Sequence, residues 1–417
     1  MIMHGVVFIT LAILALTVPR SAGADVVTEW NQHTQDAINA ENTDARLSQR
    51  SLAIVHAAIF DAVNGIERRF TPYHVDFVAP RGASPRAAAI EAAYIALVNL
   101  FPSQKATFDR ARTASLASTN GHGNESITRG IEWGQEVAED ILAWRSTDGF
   151  DTQVPPYLGS TAPGQWRPTP PDFRPAILPQ VAHATPFAMT SPRQFRPAGP
   201  PALRSVQYTL DFNEVKAIGS RTSSTRNPEQ TEIAKFWDDN AGVHWNLIAV
   251  SLAADGQTSL LENARLFVLL NIAMADATIA AWDAKFFYNF WRPVTAIRLA
   301  DTDRNRSTSP DPTWLPLRSL TPAHSDYPSN HSAISGAAAA VLAAHFGDHV
   351  TFTSTSGTLP GVIRTHTSFS AAAEEVNDAR VYNGIHFRTA CSDGRAMGDT
   401  IADYVIANLA QPASERR

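Results

Sequence analysis

The sequence predicts an all-α fold, and three observations carry that reading. Apolar residues, many of them alanine, recur at three- and four-residue spacing through residues 27–65, 84–145, 259–291, 330–346, 370–386 and 394–410, the period that turns one face of a helix toward a core. No alternating strand meander and no repeated block interrupts them. The prolines are concentrated instead between Val154 and Pro201, a stretch holding roughly half of the chain's 27, where their missing N–H groups argue for irregular backbone. At 417 residues, 44% hydrophobic and 18% charged, the chain has the composition of a globular protein able to bury a large core.

Taken in order, the opening MIMHGVVFITLAILALTVPRSAGADVV has an apolar run from Gly5 to Val18, then Ala22, Gly23 and Ala24, small residues suited to signal-peptidase cleavage before Asp25. Residues 1–24 read as a signal peptide, so the mature protein is expected to be secreted or periplasmic. The run is shorter than the roughly 20 residues a membrane span requires, and no later segment reads as a span. Residues 25–150 form an N-terminal helical region. Residues 151–203 are a proline-rich irregular segment whose Tyr157, Trp166, Phe173, Phe187 and Phe195 are expected to pack it over the helical body. Residues 204–417 form a C-terminal helical bundle, with helical spacing resuming near Glu229 at EQTEIAKFWDDN.

A net charge of −6 provides no overall basic field for nucleic acid or an anionic membrane, so an anion site must be local. The single cysteine, Cys391, excludes an intramolecular disulfide and a cysteine-rich metal centre, and reads as a packed core thiol.

Three motifs in the C-terminal half are chemically loaded. In KFFYNFWRP, Lys285 and Arg292 stand seven apart with Asn289 between them and Trp282 one turn earlier. On one helix both cations would share a face, where they repel and resist burial unless an anion lies between them. The alternative is a pair of side chains snorkelling at a solvated edge. In TPAHSDYPSNHSAISGAAAAVLAAHF, Ser329 suits a helix N-cap, and the free N–H groups of Ser329 and Asn330 would make an anion cradle with His331 attached. An ordinary capped helix with an incidental histidine reads the same way. In RVYNGIHFRTACSDG, Arg380 and His386 are six apart, and Gly384 can break the helix and turn the imidazole back toward the cation.

Read together and in this order, K-x6-R-P, P-S-x-H and R-x5-H resemble the oxyanion site of the vanadium haloperoxidase and type 2 phosphatidic acid phosphatase superfamily. The resemblance covers roughly residues 229–410, and AKFWDDN, ADATIAAWDAKFFYNFWRP, AHSDYPSNHSA and GIHFR lean toward the haloperoxidase branch. It implies the helical-bundle fold of that superfamily and a vanadate cofactor, or phosphate in the same place. Lys285, Arg292, Ser329, Asn330 and Arg380 would hold the oxyanion. His386 would bind vanadium, or in a phosphohydrolase of the acid phosphatase type serve as the nucleophile. His331 would be the acid or base, and Lys285 would polarise the oxidant. The implied substrates are hydrogen peroxide, a halide and an organic acceptor, or a phosphate ester. A non-catalytic oxyanion-binding protein is the third reading.

Three positions depart from the superfamily's pattern. Asn330 stands where glycine is usual, and Ala390 where many members carry an aspartate four residues after the axial histidine. A carboxylate supporting that histidine is then expected elsewhere, at Asp238, Asp239 or Asp393. His324, with Trp282, falls at the halide position, where histidine in place of phenylalanine points to bromide or iodide over chloride. Other features read as ordinary: DTDRNRS at 301–307 lacks the glycine and glutamate of a calcium loop, and His345 and His349 flank the end of a helix.

Overall fold

The protein was analysed as a computed structural model describing residues 25–119, 123–255 and 258–413; the signal peptide expected at 1–24 lies outside these. The helical run expected at 27–65 is two helices, α1 (Val26–Ala40) and α2 (Ala45–Glu67). Asn42 takes a left-handed backbone between them (φ 48°), and the Asp44 carboxylate starts α2 by accepting from the Arg46 N–H. The run at 84–145 becomes α3 (Pro85–Leu100), α4 (Lys105–Ala117) and α5 (Asn124–Arg145). Helices α2, α3 and α5 pack together as the N-terminal bundle.

Between α5 and residue 206 the only helix among the described residues is a short 3-10 turn, Pro179–His183. This segment is anchored at its ends and middle. Trp166 and Phe187 are buried, and the backbone N–H groups of Phe187, Ala188 and Met189 all donate to the Asp276 carboxylate at 2.6–2.8 Å. Phe173, expected to pack inward, is 62% exposed; its positive φ of 48° at the end of a turn leaves the ring pointing to solvent.

The second half contains α6 (Val206–Ile218), α7 (Pro228–Phe236), α8 (Ala241–Asp255), α9 (Leu260–Tyr288), α10 (Pro293–Arg298), α11 (Asn330–Phe346), α12 (Phe369–Tyr382) and α13 (Arg388–Asn408). Helix α6 escaped the sequence reading because it follows the proline run and alternates short polar and apolar pieces; the Ser205 hydroxyl caps it by accepting from the Tyr208 N–H at 3.1 Å. A two-stranded antiparallel hairpin, β1 (Phe352–Thr355) with β2 (Ile363–His366), is the one sheet among the described residues. It is too small to alter the class: the fold is all-α.

Helix α9 is the axis of the molecule, packing on α2 of the first bundle and on α11 and α13 of the second. It is long and apolar enough to cross a membrane, yet nearly all of its apolar stretch is buried inside the protein. Two buried aspartates lock the chain to α2 and α9 in the same manner: Asp61 accepts from the N–H groups of Tyr73, His74 and Val75, as Asp276 does from the proline-rich segment. Helices α11 and α13 approach so closely that a Cβ on Gly394 would lie 2.5 Å from the Ser329 carbonyl, which brings the second and third motifs into contact.

Candidate functional site

Lys285 lies in the last turn of α9, but Arg292 is not on that helix. Asn289 ends α9 in a left-handed conformation (φ 48°), and Arg292 is the N-cap of α10, whose first residue is Pro293. The expected shared helical face is therefore replaced by a sharp corner, because proline cannot continue a helix from within. The corner still delivers both cations to one buried place.

That place is floored by the loop preceding α11. Lys285 Nζ donates to the carbonyls of Ser325 (2.8 Å) and Asp326 (3.0 Å). Arg292 Nε donates to the His324 carbonyl at 2.7 Å. Its NH1 donates to the Ile385 carbonyl at 2.7 Å and lies 3.0 Å from His386 Nε2, while its NH2 lies 3.0 Å from His324 Nδ1. Ser329 caps α11 as expected, but its N–H is taken by the Ala390 carbonyl at 2.8 Å and so is not a free donor. Its hydroxyl accepts from Ser332 N and Oγ, and the hydroxyl's own hydrogen meets no acceptor among the described residues. Asn330 is buried with its Oδ1 unpartnered.

Gly384 (φ 74°) breaks the chain after α12 and returns His386 toward Arg380 and Arg292, as the spacing suggested. Arg380 is buried; NH1 donates to the Trp237 carbonyl (2.9 Å) and lies 3.3 Å from Asp238 Oδ1, while Nε has no partner. Lys285, Arg292 and Arg380 thus converge with Asp326 and Asp238 as the neighbouring carboxylates among the described residues. Burial, followed by repulsion from Arg292, pushes Lys285 well below the usual lysine range. Burial brings Arg292 down to about 9, with Arg380 and Arg318 adding repulsion against the pull of Asp326. A cluster of like charges held out of water in this way is stabilised by an anion of high charge.

The carboxylate behind His386 is Asp326, not Asp238, Asp239 or Asp393. His386 Nδ1 stands 2.9 Å from Asp326 Oδ1, although the pair is not aligned as a hydrogen bond. Asp238 instead bridges Arg380 and Arg318, the Asp239 carboxylate faces His244 at 2.9 Å, and Asp393 accepts from the Tyr327 hydroxyl at 2.5 Å. Asp326 lies within the quoted AHSDYPSNHSA phrase; a carboxylate amid residues destined for burial was the available signal. Burial raises Asp326 to about 7 against the attraction of Arg292 and Lys285.

The two imidazoles have opposite tautomers. Arginine only donates, so Arg292 beside His386 Nε2 requires a lone pair there, with the proton on Nδ1 facing Asp326. His331 Nε2 lies 2.9 Å from the Asp239 carbonyl, an acceptor, so its proton is on Nε2 and its lone pair on Nδ1. Burial, then neighbouring arginines, keep both rings neutral by pushing them well below the usual histidine range. His324, Asn330, His331, Arg380 and His386 line one cavity of about 300 Å³, with Lys285 and Arg292 buried beneath it. Trp282 is buried with its ring centroid 4.9 Å from His324. Its Nε1 donates to the Ile177 carbonyl at 3.3 Å, so the proline-rich segment roofs this side.

The tempting alternatives are structural. The 301–307 stretch is a turn tied by Asp303 and Asn305, and no group of three potential metal ligands occurs among the described residues. Cys391 is buried in a hydrophobic cluster, and burial pushes its thiol up to about 12.

The chain is similar in sequence and fold to known proteins. Residues 265–415 match the family described as the VCPO second helical-bundle domain. The vanadium chloroperoxidase of Curvularia inaequalis is 26% identical over 186 residues, covering 37% of this chain and 30% of that relative; the chain spans under a third of the length of that curated relative. Among solved structures, the first bacterial vanadium-dependent iodoperoxidase superposes with a TM-score of 0.82 at 25% identity, covering 94% of this chain and 98% of the other. A holo-type bacterial vanadium-dependent chloroperoxidase shares the fold, with a TM-score of 0.68 at 18% identity, covering 87% of this chain and 91% of the other.

Proposed function

We infer the activity from a premise that sequence and fold share: the chain is of the vanadium haloperoxidase type, its residues 265–415 forming that family's second helical-bundle domain. The protein is a vanadate-dependent peroxidase that oxidises a halide, iodide or bromide ahead of chloride, with hydrogen peroxide. The carrying observation is a neutral His386 whose Nε2 lone pair faces a buried, under-neutralised cluster of Lys285, Arg292 and Arg380.

This donor set fits vanadate. The unpartnered Arg380 Nε, the uncommitted Ser329 hydroxyl and the mutual repulsion of the cations are what a multiply charged tetrahedral oxyanion would satisfy. Lys285, Arg292, Arg380, Ser329 and Asn330 would hold its oxygens, and His386 Nε2 would take the metal in place of its contact with Arg292. Bound vanadate supplies a Lewis acid that activates peroxide toward halide without changing its own oxidation state. His331 accepts the peroxide proton at Nδ1, and its Nε2–H bond to the Asp239 carbonyl holds the ring for that task. Asp326 keeps the His386 proton on Nδ1.

The iodide or bromide preference rests on His324 beside Trp282 and on likeness to a protein that is an iodoperoxidase. Export through the N-terminal leader belongs to the same reading, and sequencing of exported material should begin near Asp25. The deciding experiment loads the protein with orthovanadate and measures iodide, bromide and chloride oxidation by peroxide, beside hydrolysis of an aryl phosphate. Iodide and bromide turnover without phosphate release is expected; phosphate release without halide oxidation would overturn the reading.

A further inference from the structure

The cavity above the oxyanion cluster is lined by residues of two kinds. His324, Arg380 and His386 are buried, whereas the side chains of Arg174 and Arg318 are 46% and 29% exposed and Leu320 is 36% exposed. The exposed residues therefore form its mouth. Arg174 comes from the proline-rich segment, Arg318 and Leu320 come from the loop before α11, and Ile177 and Pro322 add apolar wall. Among the described residues Arg174 has one ion pair, at 3.7 Å to the exposed Asp172. Arg318 commits Nε to Asp238 at 2.9 Å, and its NH1 and NH2 meet no partner among the described residues. The carboxylates lining the cavity are already engaged, Asp238 between Arg380 and Arg318 and Asp239 with His244. On a chain of net charge −6, the mouth is thus a local excess of positive charge.

We propose that this mouth binds the organic acceptor, and that the acceptor is an electron-rich aromatic carboxylate, a hydroxybenzoate in class. This deepens the haloperoxidase reading and rests on it for the reaction. A carboxylate is planar and accepts two parallel N–H bonds, which the uncommitted NH1 and NH2 of Arg318 can supply, with Arg174 as a second cation. The apolar wall of Ile177, Leu320 and Pro322 suits a ring. A cavity of about 300 Å³ is at the small end of ligand pockets, with room for one ring rather than a fused system. With its carboxylate held at the mouth, the ring lies between solvent and the buried floor where peroxide oxidises halide. The transfer then balances without another reagent: hypohalous acid passes its halogen to a ring carbon, the oxygen–halogen bond breaks, and the displaced ring proton leaves with the hydroxide as water. Attack on an electrophilic halogen requires an electron-rich ring, hence the phenol.

The test uses full-length, vanadate-loaded protein and compares 4-hydroxybenzoate with its neutral analogue 4-hydroxybenzamide. In saturation-transfer NMR without peroxide, the benzoate should receive magnetisation from the protein and the benzamide much less, and Arg174→Gln combined with Arg318→Lys should abolish the difference. In bromination with bromide and peroxide, the KM of the benzoate should rise about fivefold in Arg174→Gln and roughly tenfold in Arg318→Lys, with the benzamide KM, the bromide KM and vanadate affinity unchanged. Arg174 is exposed, so its replacement leaves the fold intact, and Arg318→Lys keeps a cation beside Asp238. Should Arg318→Lys lower vanadate affinity, Arg174→Gln alone carries both measurements. If the wild type oxidises no halide, the haloperoxidase reading fails, and the NMR comparison still decides whether the mouth selects a carboxylate. Equal transfer to benzoate and benzamide in the wild type, KM values for the two that rise together in the variants, or a benzoate KM that does not move would overturn the proposal.

Discussion

His386 and His331 are both neutral imidazoles, yet the groups around them assign different work. Arg292 and Asp326 fix a lone pair at His386 Nε2, suited to holding a metal, and the Asp239 carbonyl fixes one at His331 Nδ1, suited to taking a proton. His386→Ala should weaken vanadate binding on the order of a hundredfold, about 2.7 kcal/mol, by equilibrium dialysis. His331→Ala should leave that affinity nearly intact and reduce turnover by about 10²–10⁴; a variant that keeps full turnover would remove His331 from the chemistry. A third histidine bears on stability alone. His56, stacked on Phe267 and bonded to Asn31 at 2.9 Å, is lowered to about 3 by burial. Its folded value lies below its unfolded one, so the unfolded chain binds the proton first and stability falls as pH drops from about 6.5 toward 3. At about 1.4 kcal/mol per pH unit, the contribution at neutral pH is on the order of 4–5 kcal/mol. Urea unfolding across that range should show the decline, and His56→Phe should make it shallower, the buried His324, His331 and His386 supplying the remainder.

At the scale of elements, the site is set by how helices stop. Helix α9 ends at Asn289, α12 at Asn383, and α11 begins at Ser329; each terminus places one motif. Gly384 is the most exacting of these positions, since its φ is 74° and a Cβ there would stand 2.3 Å from the Gly219 carbonyl. Gly384→Ala should cost at least about 2 kcal/mol in denaturant unfolding, and should weaken vanadate binding by displacing His386. The proline-rich segment depends on a single carboxylate. Asp276→Ala strands three N–H groups, two of them on buried residues, and should cost about 3 kcal/mol or more. Hydrogen exchange at Phe187, Ala188 and Met189 should accelerate in that variant while the α2–α3–α5 bundle stays protected.

For the whole molecule, the cavity lies where two bundles meet: Thr43, Ala45 and Arg46 approach from the first, and His331, Arg380 and His386 from the second. An oxyanion there relieves repulsion among buried cations, so ligand binding and global stability are linked. Orthovanadate at a hundred times its Kd should add about 2.7 kcal/mol, which for a chain of this size raises Tm by roughly 3 °C. Arg380→Met should abolish most of the shift. A wild-type Tm indifferent to orthovanadate would show that the cations do not act as one site.

The sequence by itself determined the helical class, from the three- and four-residue apolar period, and named the cations, histidines and cap of the site, because their spacing and types survive without coordinates. It also foresaw the return of His386 at Gly384. It misjudged the Lys285–Arg292 pair as sharing a helix and passed over Asp326, Asp61, Asp276 and Arg46. The reason is physical: a period reports which face of one element is buried, whereas the partner of a buried charge is chosen by elements far apart in the chain. Asp326 meets His386 across 60 residues of sequence, and Arg46 meets Trp282 from another bundle. Only the packing of α2, α9, α11 and α13 decides those encounters.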